Sequence, residues 1–318
     1  MIWRRVAPSD WPPERRNPSL KGSRGVITAD ALGAVWVTDK IDVHRIDPQT
    51  NAVTTYSVKD GLPGSRVNAI AHEARGTIWV GTSGGGVSYL NPGASTWQTL
   101  TMKDGLASDH VWAIVADAKG SLWFGTKAGV SRFDPTTRAF DTYTSRDGLP
   151  SDKVLDLACD DGAVWLGIWR EVSRFDPASR TWTTYSSEGS FHHWNDLIQA
   201  LACGEDGAVW LGARLGGASS FDPRTGSWSR YVPTNEIVDA HVGAVVQDRI
   251  GALWFGGFKG PIRLDPTTRA WEPHPRAMGV NKMTTSVDGS VWIGNEATGN
   301  LERFDQTSKE WALYTYEG

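Results

Sequence analysis

The 318-residue sequence lacks the features that mark several large classes of protein. Its two cysteines, Cys159 and Cys203, are too few for a disulfide framework or a Cys-only zinc site, so the core must hold the fold. No run approaches the roughly 18 apolar residues of a membrane-spanning helix, and the first residues lack the apolar centre of a signal peptide. The net charge of -4 argues against nucleic-acid binding, which needs an excess of Lys and Arg.

Tryptophan and glycine are abundant, with 17 and 35 copies. A triplet of an aliphatic residue, Trp and an apolar residue recurs seven times, 38 to 45 residues apart, and six of the triplets are followed at once by glycine. The central residues of the triplets are Trp36, Trp79, Trp123, Trp165, Trp210, Trp254 and Trp292. A fixed period of this length indicates a repeat architecture.

Each repeat has the pattern of four short strands. In the third repeat we predict strands at 111–116, 121–126, 129–133 and 139–144. A sheet of this size cannot bury both faces, and no amphipathic helix is long enough to cover one. The sequence therefore predicts an all-β fold, a seven-bladed β-propeller with four antiparallel strands per blade over residues 23–318, whose Trp strands pack against the next blade.

Residues 1–22 precede the first recognisable repeat and form an N-terminal extension. Its segment Ile2 to Val6 resembles an outer strand. Either this strand closes the ring by pairing with the last blade, or the extension packs loosely across one face, because the last blade already has its own outer strand around Trp311.

Three linkers between repeats share the motif Asp-Gly-Leu-Pro or Asp-Gly-Leu-Ala, beginning at Asp60, Asp104 and Asp147. Together with the Gly-x-Leu/Val-Trp-apolar-Gly-Thr and Gly-Val-Ser-Arg-Phe-Asp-Pro segments, they resemble the two-component regulator propeller repeat. The resemblance extends over the chain from about Arg24 to Tyr316. The resemblance implies a ligand-sensing propeller outside the membrane, joined to a transmembrane helix and a histidine kinase. The sequence contains neither of these, so we expect an excised extracytoplasmic sensor domain or a free-standing propeller that is cytoplasmic as it stands.

Side chains that break the repeat are candidates for function, because scaffold positions recur. The linkers and the loops between second and third strands should meet on one face around the channel. Three tryptophans break the repeat near blades three to five: Trp112 on an inner strand, Trp169 on a loop, and Trp194 on a linker beside His192 and His193. They suggest an aromatic-lined pocket for a sugar or flat ligand. The alternative is that the longer linker buries its own aromatic residues as a cap.

Cationic residues recur on the loop between second and third strands in five of the seven blades: Lys40, Lys127, Arg170, Arg214 and Lys259. A ring of these loops would concentrate anions at one mouth of the channel. The alternative is that exposed loops carry Lys and Arg for solubility, with Asp39 and Glu171 cancelling part of the charge.

Evidence for catalysis in the sequence is weak. His241, which we count among the ligand-binding candidates, and His110 lie near the starts of inner strands, and adjacent His192 and His193 could share a metal only from a bent loop. Streptogramin lyases are also Trp-rich seven-bladed propellers, but their repeats read Trp-Phe-Thr-Glu where this chain has Trp-Phe-Gly-Thr. We also expect Cys159 and Cys203 to be buried thiols at the ends of inner strands.

The sequence favours a monomeric sensor-type binding module for a small polar or anionic ligand, with a saccharide as one option. We expect no catalysis, no metal or cofactor, no nucleic acid and no membrane insertion. Two alternatives stay open: a lyase or hydrolase that uses the same channel mouth, and a protein-interaction platform.

Overall fold

The structure, a computed structural model, describes residues 2–6, 26–159, 163–168, 171–177, 179–186, 197–231, 241–265, 267–274, 279–295 and 300–317, with the backbone alone at 2–6, 281, 316 and 317. It confirms a seven-bladed β-propeller of antiparallel four-stranded sheets. In the described residues, no helix is long and apolar enough to span a bilayer.

Within each of the first four blades, the strands run in chain order from the axis outward. Blade one contains β2 (Ile27–Ala29), β3 (Val35–Thr38), β4 (Val43–Ile46) and β5 (Val53–Tyr56). Blade two contains β6 (Val67–His72), β7 (Ile78–Thr82), β8 (Val87–Leu90) and β9 (Gln98–Leu100). Blade three contains β10 (Val111–Ala116), β11 (Leu122–Thr126), β12 (Gly129–Asp134) and β13 (Ala139–Tyr143). Blade four contains β14 (Asp156–Cys159), β15 (Val164–Ile168), β16 (Glu171–Asp176) and β17 (Thr181–Ser186).

The last three blades keep the same order. Blade five contains β18 (Ile198–Cys203), β19 (Val209–Ala213), β20 (Gly217–Asp222) and β21 (Ser227–Tyr231). Blade six contains β22 (Val242–Gln247), β23 (Leu253–Gly257), β24 (Gly260–Leu264) and β25 (Trp271–Pro273). Blade seven contains β26 (Val280–Thr285), β27 (Val291–Asn295), β28 (Leu301–Phe304) and β29 (Trp311–Glu317).

The core lies between the blades and is built around the repeated tryptophan. All seven triplet tryptophans are at most 4% exposed. Trp123 of blade three, for example, packs in one apolar cluster with Leu157, Leu166 and Phe175 of blade four. The prediction that each Trp strand packs against the next blade is confirmed, and these tryptophans are architectural.

The N-terminal strand β1 (Ile2–Val6) pairs antiparallel with β29, with Trp3 opposite Tyr316. Blade seven already has four strands, so β1 is a fifth strand on its outer edge. The ring closes by packing instead, because Trp292 of blade seven shares an apolar cluster with Ile27 and Val35 of blade one.

Neither of the two cysteines forms a disulfide bond within the described residues, and each is half-buried. Cys159 and Cys203 end β14 and β18 and lie against the edges of neighbouring apolar clusters. The prediction of buried thiols is therefore confirmed in part, because both side chains pack against the core but keep some exposure at the ends of their strands.

Candidate functional site

The linkers into blades two, three and four fold in the same way. In the first, Asp60 Oδ2 accepts the backbone N–H of Ser57 at 2.8 Å, and Ser57 Oγ accepts the N–H of Lys59 at 3.3 Å. Gly61 then adopts a left-handed φ of 97°, and Leu62 is 3% exposed. The Asp-Gly-Leu motif is thus a capping box, a left-handed turn and a buried anchor, which together fix where the next inner strand begins.

Linkers and second-to-third-strand loops meet on one face, which we call the mouth face. Lys40 O accepts the backbone N–H of Val67 at 2.9 Å, and the N–H of Lys127 donates to His110 O at 3.0 Å. The N–H of Arg214 donates to Leu197 O at 3.0 Å. These bonds confirm that the two classes of loop lie together, as the sequence predicts for a propeller.

The four described cations of the predicted ring, Lys40, Lys127, Arg214 and Lys259, are all exposed on these loops. Beside Lys40, burial by itself would raise the pKa of Asp39. The His44 side chain, whose Nε2 lies 3.7 Å from Asp39 Oδ2, and hydrogen bonds from backbone N–H groups lower that pKa to about 2. Asp39 is therefore charged at neutral pH and cancels part of the charge of Lys40, so the cationic character is greater at the other loops.

His241 joins the loops of blades five and six. Its ring stacks on Phe258 with centroids 4.2 Å apart and planes 12° from parallel. His241 Nδ1 lies 3.3 Å from the backbone oxygen of Arg214. Phe258 is 57% exposed. The pair thus presents an aromatic surface between two cation-bearing loops.

Sequence reasoning missed Phe258, although a signal was present. Phe258 directly precedes Lys259 at the place in the repeat where Trp169 precedes Arg170, so it belongs with the aromatic candidates. Two further exposed apolar residues, Ile41 and Leu215, each follow a cation on the same class of loop.

The central channel contains a cavity of about 430 Å³, lined by all seven inner strands. Trp112 is part of its wall, so the prediction that Trp112 faces the channel is confirmed. The ammonium of Lys153, on the linker into blade four, lies 5.5 Å from the centre of the Trp112 ring. This cation–π contact holds one face of the indole at the channel entrance.

Five candidates from the sequence lie outside the described residues: Trp169, Arg170, His192, His193 and Trp194. The proposed aromatic pocket around blade four therefore stays a prediction. Among the described residues, no group of three His, Cys, Asp or Glu side chains could hold a metal ion.

Asp156 and Lys282 are channel residues that the sequence analysis also missed. Asp156 pairs with Gly167 and Lys282 with Gly294, so both lie opposite the glycine that follows the repeated tryptophan. The same place holds Ala69, Ala113, Ala200 and Ala244 in four other blades. The two charges break this alanine column, which a comparison of the inner strands position by position could have found.

The electrostatics of Asp156 reflect its place in the channel wall. Burial raises its pKa to about 6, although the charge of Lys282 and the backbone N–H of Leu201 lower it. That N–H donates to Asp156 Oδ2 at 2.8 Å. His72, farther along the channel, has its pKa lowered by burial and is therefore neutral at pH 7.

Comparison with known families and structures agrees with this geometry. The family model described as "Two component regulator propeller" matches residues 61–84 and 105–128. Comparison with curated protein sequences gave no match. A solved structure from B. thetaiotaomicron, described as the extracellular domain of the hybrid two component system BT3049, has a TM-score of 0.72 at 16% identity. The match covers 99% of this chain and 42% of that one.

Two other solved structures are also similar. The extracellular domain described as that of the one component system BT4673 from B. thetaiotaomicron has a TM-score of 0.69 at 14% identity over 95% of this chain and 40% of that one. Virginiamycin B lyase from Staphylococcus aureus has a TM-score of 0.72 at 15% identity over 99% of both chains. The chain spans about two fifths of the length of the sensor structures, and at these identities the likenesses establish the fold. The chain is therefore a seven-bladed β-propeller that carries two-component regulator propeller repeats.

Proposed function

We propose that the chain is a sensor-type binding module that takes a small polar or anionic ligand, a saccharide among the options, on the mouth face. The observation that carries this proposal is the stacked pair of His241 and Phe258 between the loops that bear Arg214 and Lys259. An aromatic surface can stack on a sugar ring, and neighbouring cations attract carboxylate or phosphate groups. The sensor domains that share this fold support the same direction.

A small ligand fits this face better than a protein partner does. The exposed apolar residues Ile41 and Leu215 each adjoin a cation, and Phe258 directly precedes Lys259. A protein interface needs a contiguous apolar centre with charges excluded to the rim. Alternating apolar and cationic groups instead favour an amphipathic ligand of small size.

The test is a thermal-shift screen against sugars, sugar acids and small anions. We expect compounds that stabilise the protein. Their apparent affinity should fall at least tenfold in Arg214→Ala, Phe258→Ala and Trp169→Ala. Lys119→Ala is the matched control, because Lys119 is exposed in the turn between first and second strands, outside the mouth face. Hits that none of the three variants weakens would show that the site lies elsewhere.

A lyase or hydrolase is the second candidate, and one observation favours it. The fold matches virginiamycin B lyase over the full length of both chains, whereas it matches less than half of each sensor structure. If the chain is an enzyme, a screening hit will be consumed on incubation, and His241→Ala will stop its loss. A hit whose concentration stays constant over many hours supports the binding module.

A further inference from the structure

The two charged residues of the alanine column lie on nearly opposite sides of the channel. Asp156 is on blade four and Lys282 on blade seven, three blades apart in a ring of seven and therefore nearly opposite. Because both pair with the equivalent glycine, they lie at the same level along the axis. The channel thus carries a negative group and a positive group at one height, separated by the cavity.

The pair is not a contact ion pair. In the part of the chain that the structure describes, no Asp156 oxygen lies within 4.0 Å of the Lys282 ammonium. Their charges still interact, because Lys282 lowers the pKa of Asp156. Asp156 keeps its hydrogen bond from Leu201, but among the described residues neither side chain has an oppositely charged group in contact with it. Charged groups shielded from bulk water without such a group cost free energy, and a molecule that supplies both opposite charges would recover part of it.

The rest of the channel wall is almost free of charge. Apart from Asp156 and Lys282, its described lining residues include one titratable side chain, His72, which is neutral at pH 7. Lys153 lies at the entrance over Trp112. The thiols Cys159 and Cys203 end the inner strands of blades four and five. A ligand that complements this wall has one positive end, one negative end and no net charge.

We propose that the central channel binds a small zwitterion of the free amino acid class, with its ammonium toward Asp156 and its carboxylate toward Lys282. The cavity of about 430 Å³ is within the usual range for small-molecule sites and has room for such a molecule with water. The half-buried residues Ile70 and Ile114 also line the cavity and offer apolar contact to a side chain of the ligand. This site goes beyond the mouth-face proposal and uses none of its residues.

The test is calorimetric titration at pH 7.5 with L-alanine and L-leucine as probes. Isopropylamine and isobutyrate, which replace one charged group of alanine by methyl, are the matched analogues. We expect the zwitterions to bind at least tenfold more tightly than either analogue. Absence of binding by both amino acids, or equal binding of alanine and its analogues, would overturn the proposal.

Variants separate the two ends of the site. Asp156→Asn should remove the preference for alanine over isobutyrate, and Lys282→Met the preference for alanine over isopropylamine. Asp141→Asn on the outer strand of blade three and Lys119→Met are charge-matched controls that should keep both preferences. Circular dichroism and melting temperature establish that each variant is folded. Unchanged preferences in folded Asp156→Asn and Lys282→Met would contradict the assignment.

The pH dependence has a definite sign. Protonation of Asp156 removes the charge that holds the ammonium, so affinity should fall as the pH drops through about 6, and by about tenfold between pH 7.5 and pH 5. The Asp156→Asn variant should lose this dependence. Mouth-face hits should be insensitive to both channel variants, so failure of one proposal is distinguishable from failure of the other.

Discussion

One hydrogen bond from a buried indole recurs at the turn between first and second strands. Asp117 Oδ2 accepts the Nε1–H of Trp123 at 2.9 Å, while its Oδ1 accepts the N–H of Ser121 at 2.9 Å. Asp248 and Asp30 do the same for the tryptophans of blades six and one. In blade five, residue 204 is glycine, and the Nε1–H of buried Trp210 has no partner among the described residues. An unsatisfied buried donor of this kind costs stability.

Gly204→Asp should therefore stabilise the protein. The turn at Gly204 already has the right form, because its N–H donates to Ala208 O at 2.8 Å as that of Asp117 does to Ser121 O at 2.9 Å. The new Cβ would displace the carboxylate end of Asp206, now 2.6 Å from that position, and would lie 3.2 Å from Trp210 Nε1, within reach of the indole that the new carboxylate is meant to bind. We expect a gain of about 0.5–1.5 kcal/mol in the free energy of unfolding, measured by urea denaturation. Gly204→Ala has no acceptor and should show no gain; equal stability of the two variants would contradict the prediction.

Contact between neighbouring blades depends on the glycine after the Trp triplet. A Cβ at Gly256 on β23 would lie 2.5 Å from Val280 Cγ1 on the inner strand of the next blade. At Gly125 on β11, the nearest atom, Val154 Cγ1, is 3.1 Å away. At these two interfaces a side chain is excluded because residues at the start of the next blade fill its space, and the fit is tighter at Gly256 than at Gly125.

Gly256→Ala should destabilise the protein through overpacking, by about 1–3 kcal/mol. Gly125→Ala is the matched comparison and should cost less, because Val154 needs to move by only a few tenths of an ångström. Neither Gly125 nor Gly256 has a positive φ, so backbone strain does not affect the comparison. Melting temperatures of the two variants measure the difference; equal losses would show that the contact distance does not control the cost.

Sequence reasoning was most successful where the repeat supplied several copies of the same evidence. In blade three the predicted strand 121–126 is observed as Leu122–Thr126, and the other three differ by at most one residue at an end. Phe258 and His241 could not be paired in this way, because they lie on different loops and meet only through the geometry of those loops. Asp156 and Lys282 are separated by more than a hundred residues, and only the register of the inner strands shows that they share a level.

At the scale of the whole molecule, the question is what holds the ring closed. A propeller whose terminal strand supplies part of the last blade is closed by hydrogen bonds between the two ends of the chain. Here β1 adds outside β29, and all four strands of blade seven come from the C-terminal part of the chain. The closing interface is instead an apolar cluster that contains Trp292, 1% exposed, with Val37 and Ile46 of blade one. Like the interface between blades three and four, it combines a buried tryptophan with aliphatic residues of the next blade.

If packing closes the ring, the closing interface should contribute as much stability as any other. Trp292 lies at the closing interface and Trp123 at an internal one. We expect Trp292→Ala and Trp123→Ala to lower the free energy of unfolding by similar amounts, about 3–5 kcal/mol each. A chain that begins at Val26 should lose less, because it keeps every strand of the seven four-stranded sheets. Urea denaturation of the three proteins gives the order. A truncated chain less stable than Trp292→Ala would mean that pairing of β1 with β29, and not the tryptophan cluster, is what closes the ring.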